Sequence, residues 1–163
     1  ESSYKLELVY SPRTHTVQQR AFSECLNLSS FRSDCLQIVG DEAFFNCFAL
    51  SRIDLSGVAK VGRESFCRCV SLTRLELSSL QFPLSGDSFG NCFSLRQVEV
   101  KDLQNLNAKA FADCYSVKIN QKVRFQEIYV GGFRERKNMI KLVENVKKMA
   151  GFLIKTKEWQ NNR

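Results

Sequence analysis

Apolar and polar positions along this chain follow a block that recurs about every 22 residues. Phenylalanine returns at Phe22, Phe44, Phe66, Phe89 and Phe111, and three positions after each stands Cys25, Cys47, Cys69, Cys92 or Cys114. A small residue precedes every one of these phenylalanines (Ala21, Ala43, Ser65, Ser88, Ala110), and five positions before it comes Val17, Val39, Val61, Leu84 or Leu106. Three after the cysteine come Leu28, Leu50, Leu72, Leu95 and Val117; six after come Phe31, Ile53, Leu75 and Val98. Eight after come Ser33, Leu55, Leu77 and Val100. Apolar residues two apart predict a short strand, because side chains alternate between the faces of a strand. The A-F-x-x-C-x-x-L run has a spacing of three, which predicts a helical or 3-10 turn.

One strand and one turn cannot bury their own apolar set. Stacked copies can, with parallel strands about 4.7–4.9 Å apart and each phenylalanine over the next. The spacing therefore predicts a solenoid of about five coils. One period before Leu28 and Phe31 lie Leu6 and Val9, so the first coil is partial. One unit carries an extra residue near Phe82–Pro83, where a turn tolerates it. The fifth unit is expected to lose its strand, since Asn120 and Lys122 fall on positions that are apolar elsewhere.

The pattern L-x-x-I-x-L-x-x-V-x-x-V-G-x-x-x-F-x-x-C resembles the BspA-like class of leucine-rich repeats over residues 17–117, and partly over residues 4–11. Val-Gly is kept at Val39-Gly40 and Val61-Gly62 but becomes Leu84-Ser85 and Leu106-Asn107. The resemblance implies a right-handed curved solenoid used for recognition, found in bacterial surface proteins and widely in protists. The expected fold class is α/β: a leucine-rich-repeat solenoid with short parallel strands and 3-10 or helical turns, closed by a C-terminal amphipathic helix.

Charge divides the chain. The net +7 of the 163 residues belongs entirely to residues 122–163, because residues 1–121 carry 13 basic and 13 acidic side chains. Two parts are expected: a solenoid over residues 1–121 and a basic capping segment over residues 122–163. Within the second, Met139, Leu142, Val146 and Met149 at helical spacing predict an amphipathic helix over about 133–150. Arg134, Arg136, Lys137, Lys141, Lys147 and Lys148 form its basic set, which either faces solvent on a cap or docks on RNA, an acidic protein or an anionic surface.

The remaining chemistry is sparse. Five of seven cysteines occupy one repeat position and are expected to form a buried ladder of thiols, because buried Cys behaves as a small hydrophobe. Cys35 and Cys67 lie off it and are expected to be partly exposed, with a Cys35–Cys67 disulfide left open. An odd total of reduced thiols leans towards an intracellular site over a surface or secreted one. Cys67-Arg68-Cys69 is too close for a zinc pair. His15 is alone in a polar run, Asn27-Leu28-Ser29 is a chance sequon, and no phosphate-loop, metalloprotease or serine-hydrolase motif occurs. No enzyme activity, metal, cofactor or small-molecule substrate is expected, and no apolar run is long enough to span a bilayer.

In a leucine-rich solenoid the strand residues between buried ones line the concave face. In this chain they are Ser30 and Arg32, Arg52 and Asp54, Arg74 and Glu76, and Gln97 and Glu99. Stacked neighbours carry like charge, which is unfavourable by a few tenths to about 1 kcal/mol per pair. Diagonal arginine–acid pairs or a partner must offset it. The expected function is a protein–protein interaction module displaying Arg32, Arg52, Asp54, Arg74, Glu76, Gln97 and Glu99. The alternatives are a subunit of a larger assembly holding RNA or an acidic protein through the basic end, and a fragment of a cell-surface adhesin.

Overall fold

A computed structural model describes residues 5–121 and 127–131. The strands are β1 (Leu8–Tyr10), β2 (Thr16–Val17), β3 (Ser30–Arg32), β4 (Ile38–Val39), β5 (Arg52–Ile53) and β6 (Lys60–Val61), then β7 (Arg74–Leu77), β8 (Gln97–Val100), β9 (Ser116–Gln121) and β10 (Glu127–Gly131). They form a solenoid of about five turns. On one side of the coils the parallel strands β1-β3-β5 form one sheet and β7-β8-β9 belong to another, with Val9 opposite Phe31 and Phe31 opposite Ile53 in the first and Leu75 opposite Val98 in the second. β10 lies antiparallel along β9.

A second parallel ladder, β2-β4-β6, joins the valines of the first three coils: Val17 opposite Val39, and Val39 opposite Val61. It ends at β6: one coil on, Gln81 and Phe82 still donate to Ala59 as Ala59 and Lys60 do to Gln37, but the extra residue of this unit then intervenes before Leu84. The coils meet closely beside it. A Cβ on Gly40 would lie 2.7 Å from the Gln19 nitrogen, and one on Gly62 would lie 2.6 Å from the Asp41 nitrogen. Those two glycines therefore set how near the first three coils can come.

The phenylalanine column is the centre of the core. Ring centroids of Phe22, Phe44, Phe66, Phe89 and Phe111 follow one another at 5.3, 5.2, 5.1 and 5.6 Å, with interplanar angles of 9° or less. Beside it, each cysteine thiol donates to the carbonyl of the phenylalanine one coil earlier: Cys47 to Phe22 at 3.0 Å, then Cys69 to Phe44, Cys92 to Phe66 and Cys114 to Phe89, each at 3.2 Å. The residue has to be small and apolar yet carry a donor, which is why cysteine fits.

Three expectations need correction. Among the described residues there is no α-helix; the expected 3-10 turn is met in the last unit, at Ala108–Phe111, while in the earlier units the segments with a spacing of three are not helical. The fold is thus a β-solenoid rather than α/β. Arg20 and Glu24, Glu42 and Asn46, Glu64 and Arg68, and Asp87 and Asn91 all take positive φ, two residues either side of each phenylalanine. Such backbone costs on the order of 1–2 kcal/mol per residue and cannot propagate a right-handed helix. It turns alternate N–H groups towards the next coil, where Phe22, Phe44, Phe66 and Phe89 donate to Ala43, Ser65, Ser88 and Ala110 at 2.7–2.8 Å. The intervening N–H groups close turns within their own coil, as from Ser23 to Arg20 and from Cys25 to Phe22.

The fifth unit keeps its strand. β9 pairs with β8 with Ile119 opposite Val98, one residue earlier than the repeat frame requires, so Asn120 faces Glu99 rather than replacing an apolar residue. Val117 lies within β9 and stands two residues before Ile119, whereas Leu95 stands three residues before Val98. Third, Cys67 is buried, at 7% exposure, and Cys35 alone of the seven is exposed; none of the seven is in a disulfide. The expected helix over 133–150 lies outside the described residues.

Truncating the column should be costly. Phe66→Ala is expected to lower the free energy of unfolding by about 3–5 kcal/mol, the usual range for a buried phenylalanine. Urea denaturation of that variant measures it, and a loss below about 1 kcal/mol would mean the column does not bear the stack.

Candidate functional site

The interrupted ladder creates the site. Asp54 Oδ1 accepts from the Ser56 N–H at 2.9 Å, an Asx turn that ends β5 after two residues. β5 and β7 therefore belong to separate sheets, although the coils carrying them are consecutive. At that break the strand face is hollowed into a groove of about 920 Å³. Its walls come from three coils: Ser30, Arg32, Ser33 and Asp34; Ser51, Arg52, Asp54 and Ser56; and Arg74 and Glu76. Phe31, Leu36, Ile53, Leu55 and Gly57 complete the lining.

Five of the seven residues expected on this face, Arg32, Arg52, Asp54, Arg74 and Glu76, thus converge on one groove. Gln97 and Glu99 stand on β8 directly opposite Arg74 and Glu76, next to the groove rather than in it. The basic-end residues Arg134, Arg136, Lys137, Lys141, Lys147 and Lys148 lie outside the described residues. Sequence reasoning missed Tyr10 and Asp34. Tyr10 was legible, since it lies one period before Arg32 in the same column. Asp34 sits in the bend after β3, where the repeat gives no signal.

The ion pairing differs from a simple diagonal lattice. Arg32 is engaged locally: its guanidinium lies 5.5 Å from the centre of the Tyr10 ring and 3.7 Å from Asp34, to which the Tyr10 hydroxyl also donates at 3.3 Å. The acids of the next three coils take neutral donors from their own coils. Asp54 takes the Ser56 N–H, Glu76 the Ser78 hydroxyl at 2.8 Å, and Glu99 the Gln97 amide at 2.9 Å. Arg52 and Arg74 are exposed and make no ion pair with another described residue. Two like-charged guanidiniums on successive coils thus flank the groove.

A second surface was also missed. The residue after each ladder cysteine is apolar: Leu26, Phe48, Val70, Phe93 and Tyr115. Phe48, Phe93 and Tyr115 are exposed, and the last two stack with centroids 5.1 Å apart. The signal was present in the repeat but was eclipsed by the cysteine before it.

Thiol chemistry is shut off in the core. Burial pushes the Cys47 and Cys114 thiols up to about 12 and those of Cys69 and Cys92 well above their ordinary value. Burial also raises Cys67, partly offset by a hydrogen bond from the Asn91 side chain. The thiols of Cys47, Cys69, Cys92 and Cys114 remain protonated donors to the phenylalanine carbonyls. Among the described residues no three His, Cys, Asp or Glu side chains converge to hold a metal, and no helix is long and apolar enough to cross a membrane.

The sequence profile of the BspA type leucine rich repeat region matches residues 2–118 in 6 copies. Comparison with curated proteins gives no match. Among solved structures, the crystal structure of a leucine rich cell surface protein from Faecalibacterium prausnitzii A2-165 has a similar fold, with a TM-score of 0.64 at 22% identity. The likeness covers 86% of this chain and 36% of that one, so the chain spans about a third of that protein.

Two outcomes follow from the thiol environments. Native protein at about pH 8 should show one fast-reacting thiol, Cys35, and all seven in denaturant; Cys35→Ser should abolish the fast phase. Because the folded thiols titrate above the ordinary value of 9.0, their contribution to stability is complete below about pH 9. It is lost as the pH rises towards 12, so unfolding free energy should fall over that window. More than one fast native thiol would contradict the packing described.

Proposed function

This chain belongs to the BspA-type leucine-rich-repeat family, and we propose that it acts as a non-enzymatic protein-interaction module whose charged strand face is the binding surface. The observation that carries this reading is the groove at the β5–β7 break, where Arg52 and Arg74 stand without an ion-pair partner among the described residues. A solvated face would gain by turning these arginines onto Asp54 and Glu76. Instead the three acids of the strand face accept neutral donors from their own coils, and the arginines stay available. The scaffold beneath is a continuous core with stacked aromatics, so the face can meet a partner without much ordering cost.

A second reading concerns location. The solved neighbour is a cell surface protein and is longer than this chain, which supports reading these coils as a segment of a surface-displayed, adhesin-type repeat array. The cysteines do not oppose it. The ladder thiols are held protonated by burial against carbonyls, so their reduced state carries no information about the compartment.

The test is affinity purification of the full chain beside a Glu76→Arg, Glu99→Arg double variant. Both side chains lie on the strand face outside the core, so folding should be unchanged by circular dichroism. A protein partner retained by the wild type should be lost from the variant. Equal retention of the same partner by both would place binding elsewhere.

A further inference from the structure

Resting on the reading of the strand face as a binding surface, we propose that the groove at the β5–β7 break takes an acidic helix of a partner protein, whose carboxylates pair with Arg52 and Arg74. Arg52 and Arg74 occupy the same repeat position on successive coils, and neither has an ion-pair partner among the described residues. Two neighbouring guanidiniums repel each other; a ligand supplying one carboxylate to each removes that repulsion and adds charge-assisted bonds.

The acid row decides the class of partner. Two residues further along the same strands run Asp54, Glu76 and Glu99, about 6.6–6.8 Å from the basic row. A uniform polyanion, such as RNA or an anionic bilayer, would press its charge on both rows at once. A peptide places charge on one side only, with its carboxylates over Arg52 and Arg74 and neutral or basic side chains over Asp54 and Glu76.

Spacing selects the helix. The coils that carry Arg52 and Arg74 step by 5.2 Å at their phenylalanine rings. On a helix, residues three or four apart rise about 4.5–6.0 Å, so an acid at i and another at i+3 or i+4 match two coils. An extended strand presents the same side only about every 6.6–6.8 Å and falls out of step. A helix is about 10–12 Å across, and a groove of about 920 Å³ seats roughly two turns of one.

The experiment is selection from a display library of helical peptides on one fixed scaffold, with the exposed positions varied among Glu, Lys, Ser and Leu, against the full 163-residue chain. Enriched peptides should carry two acids at i and i+3 or i+4. Fluorescence anisotropy should show them bound at least about tenfold more weakly by Arg52→Glu, Arg74→Glu, with binding recovered when the two acids are exchanged for lysine. Both substitutions are on exposed side chains, and circular dichroism checks the fold. Enrichment of basic or apolar peptides, no enrichment at all, or equal binding by the double variant overturns the proposal. So does a labelled single-stranded RNA that binds in preference to the peptides and is lost on the same double substitution. Peptides that lose binding on Glu99→Arg but not on Arg52→Glu, Arg74→Glu would overturn the acidic-helix assignment while leaving the strand face as the interaction surface.

Discussion

Successive coils are held at the distance at which one phenylalanine ring stacks on the next, 5.1–5.6 Å, and every other feature of the molecule inherits that step. A ring column alone would allow sliding and rotation. The thiol beside it removes that freedom, because each cysteine must reach the carbonyl of the phenylalanine one coil earlier. Positive φ on either side of the ring adds a third tie by directing the phenylalanine N–H at the following coil. Stacked rings, thiol and amide tie the same two coils together through three different contacts. Sequence conformity between repeats is therefore a packing requirement: a repeat unit is stable only against a neighbour that offers the same groups at the same height.

That regularity makes the strand face a ruler. Residues two apart along a strand and one coil apart across it fall at fixed intervals, so charge in the sequence becomes charge in rows. The rows are uneven in their commitments. The acids accept from their own coil's hydroxyl, amide and backbone N–H, whereas Arg52 and Arg74 hold donors beside a groove without an ion-pair partner among the described residues. The groove itself comes from one local event, the Asx turn at Asp54 that stops β5 short. A single residue's competition with the ladder thus converts a flat repeat surface into a site.

Much of this was legible in the residues. The Phe-x-x-Cys recurrence gave the stacking, the coil count and the burial of Phe44, Phe66 and Phe89, because identical residues at one interval can bury themselves only against each other. The strand-face residues followed from alternation together with the leucine-rich-repeat resemblance. What stayed hidden depended on backbone geometry that side-chain spacing does not report. A spacing of three suits both a helical turn and a run of tight turns with left-handed residues, and only the second directs N–H groups between coils. The strand at Ser116–Gln121 was hidden by a one-residue shortening that moved Ile119 into register with Val98. The second ladder through Val17, Val39 and Val61 was missed because two-residue strands leave no alternation to read. The break between β5 and β7 required knowing that the Asp54 side chain would turn back on its own backbone.

Native-state hydrogen exchange tests the central claim, that the rings, thiols and amides lock the coils into one unit. The N–H groups of Phe44, Phe66 and Phe89 donate to the next coil at 2.7–2.8 Å. If the coils are so locked, these groups exchange only through global unfolding, with one common free energy shared by the strand amide of Gln97, which donates to Thr73 at 3.2 Å. Exchange of any of the three through a separate opening of lower free energy would contradict it, because the coils would then be individually loose and the strand face could not hold its spacing.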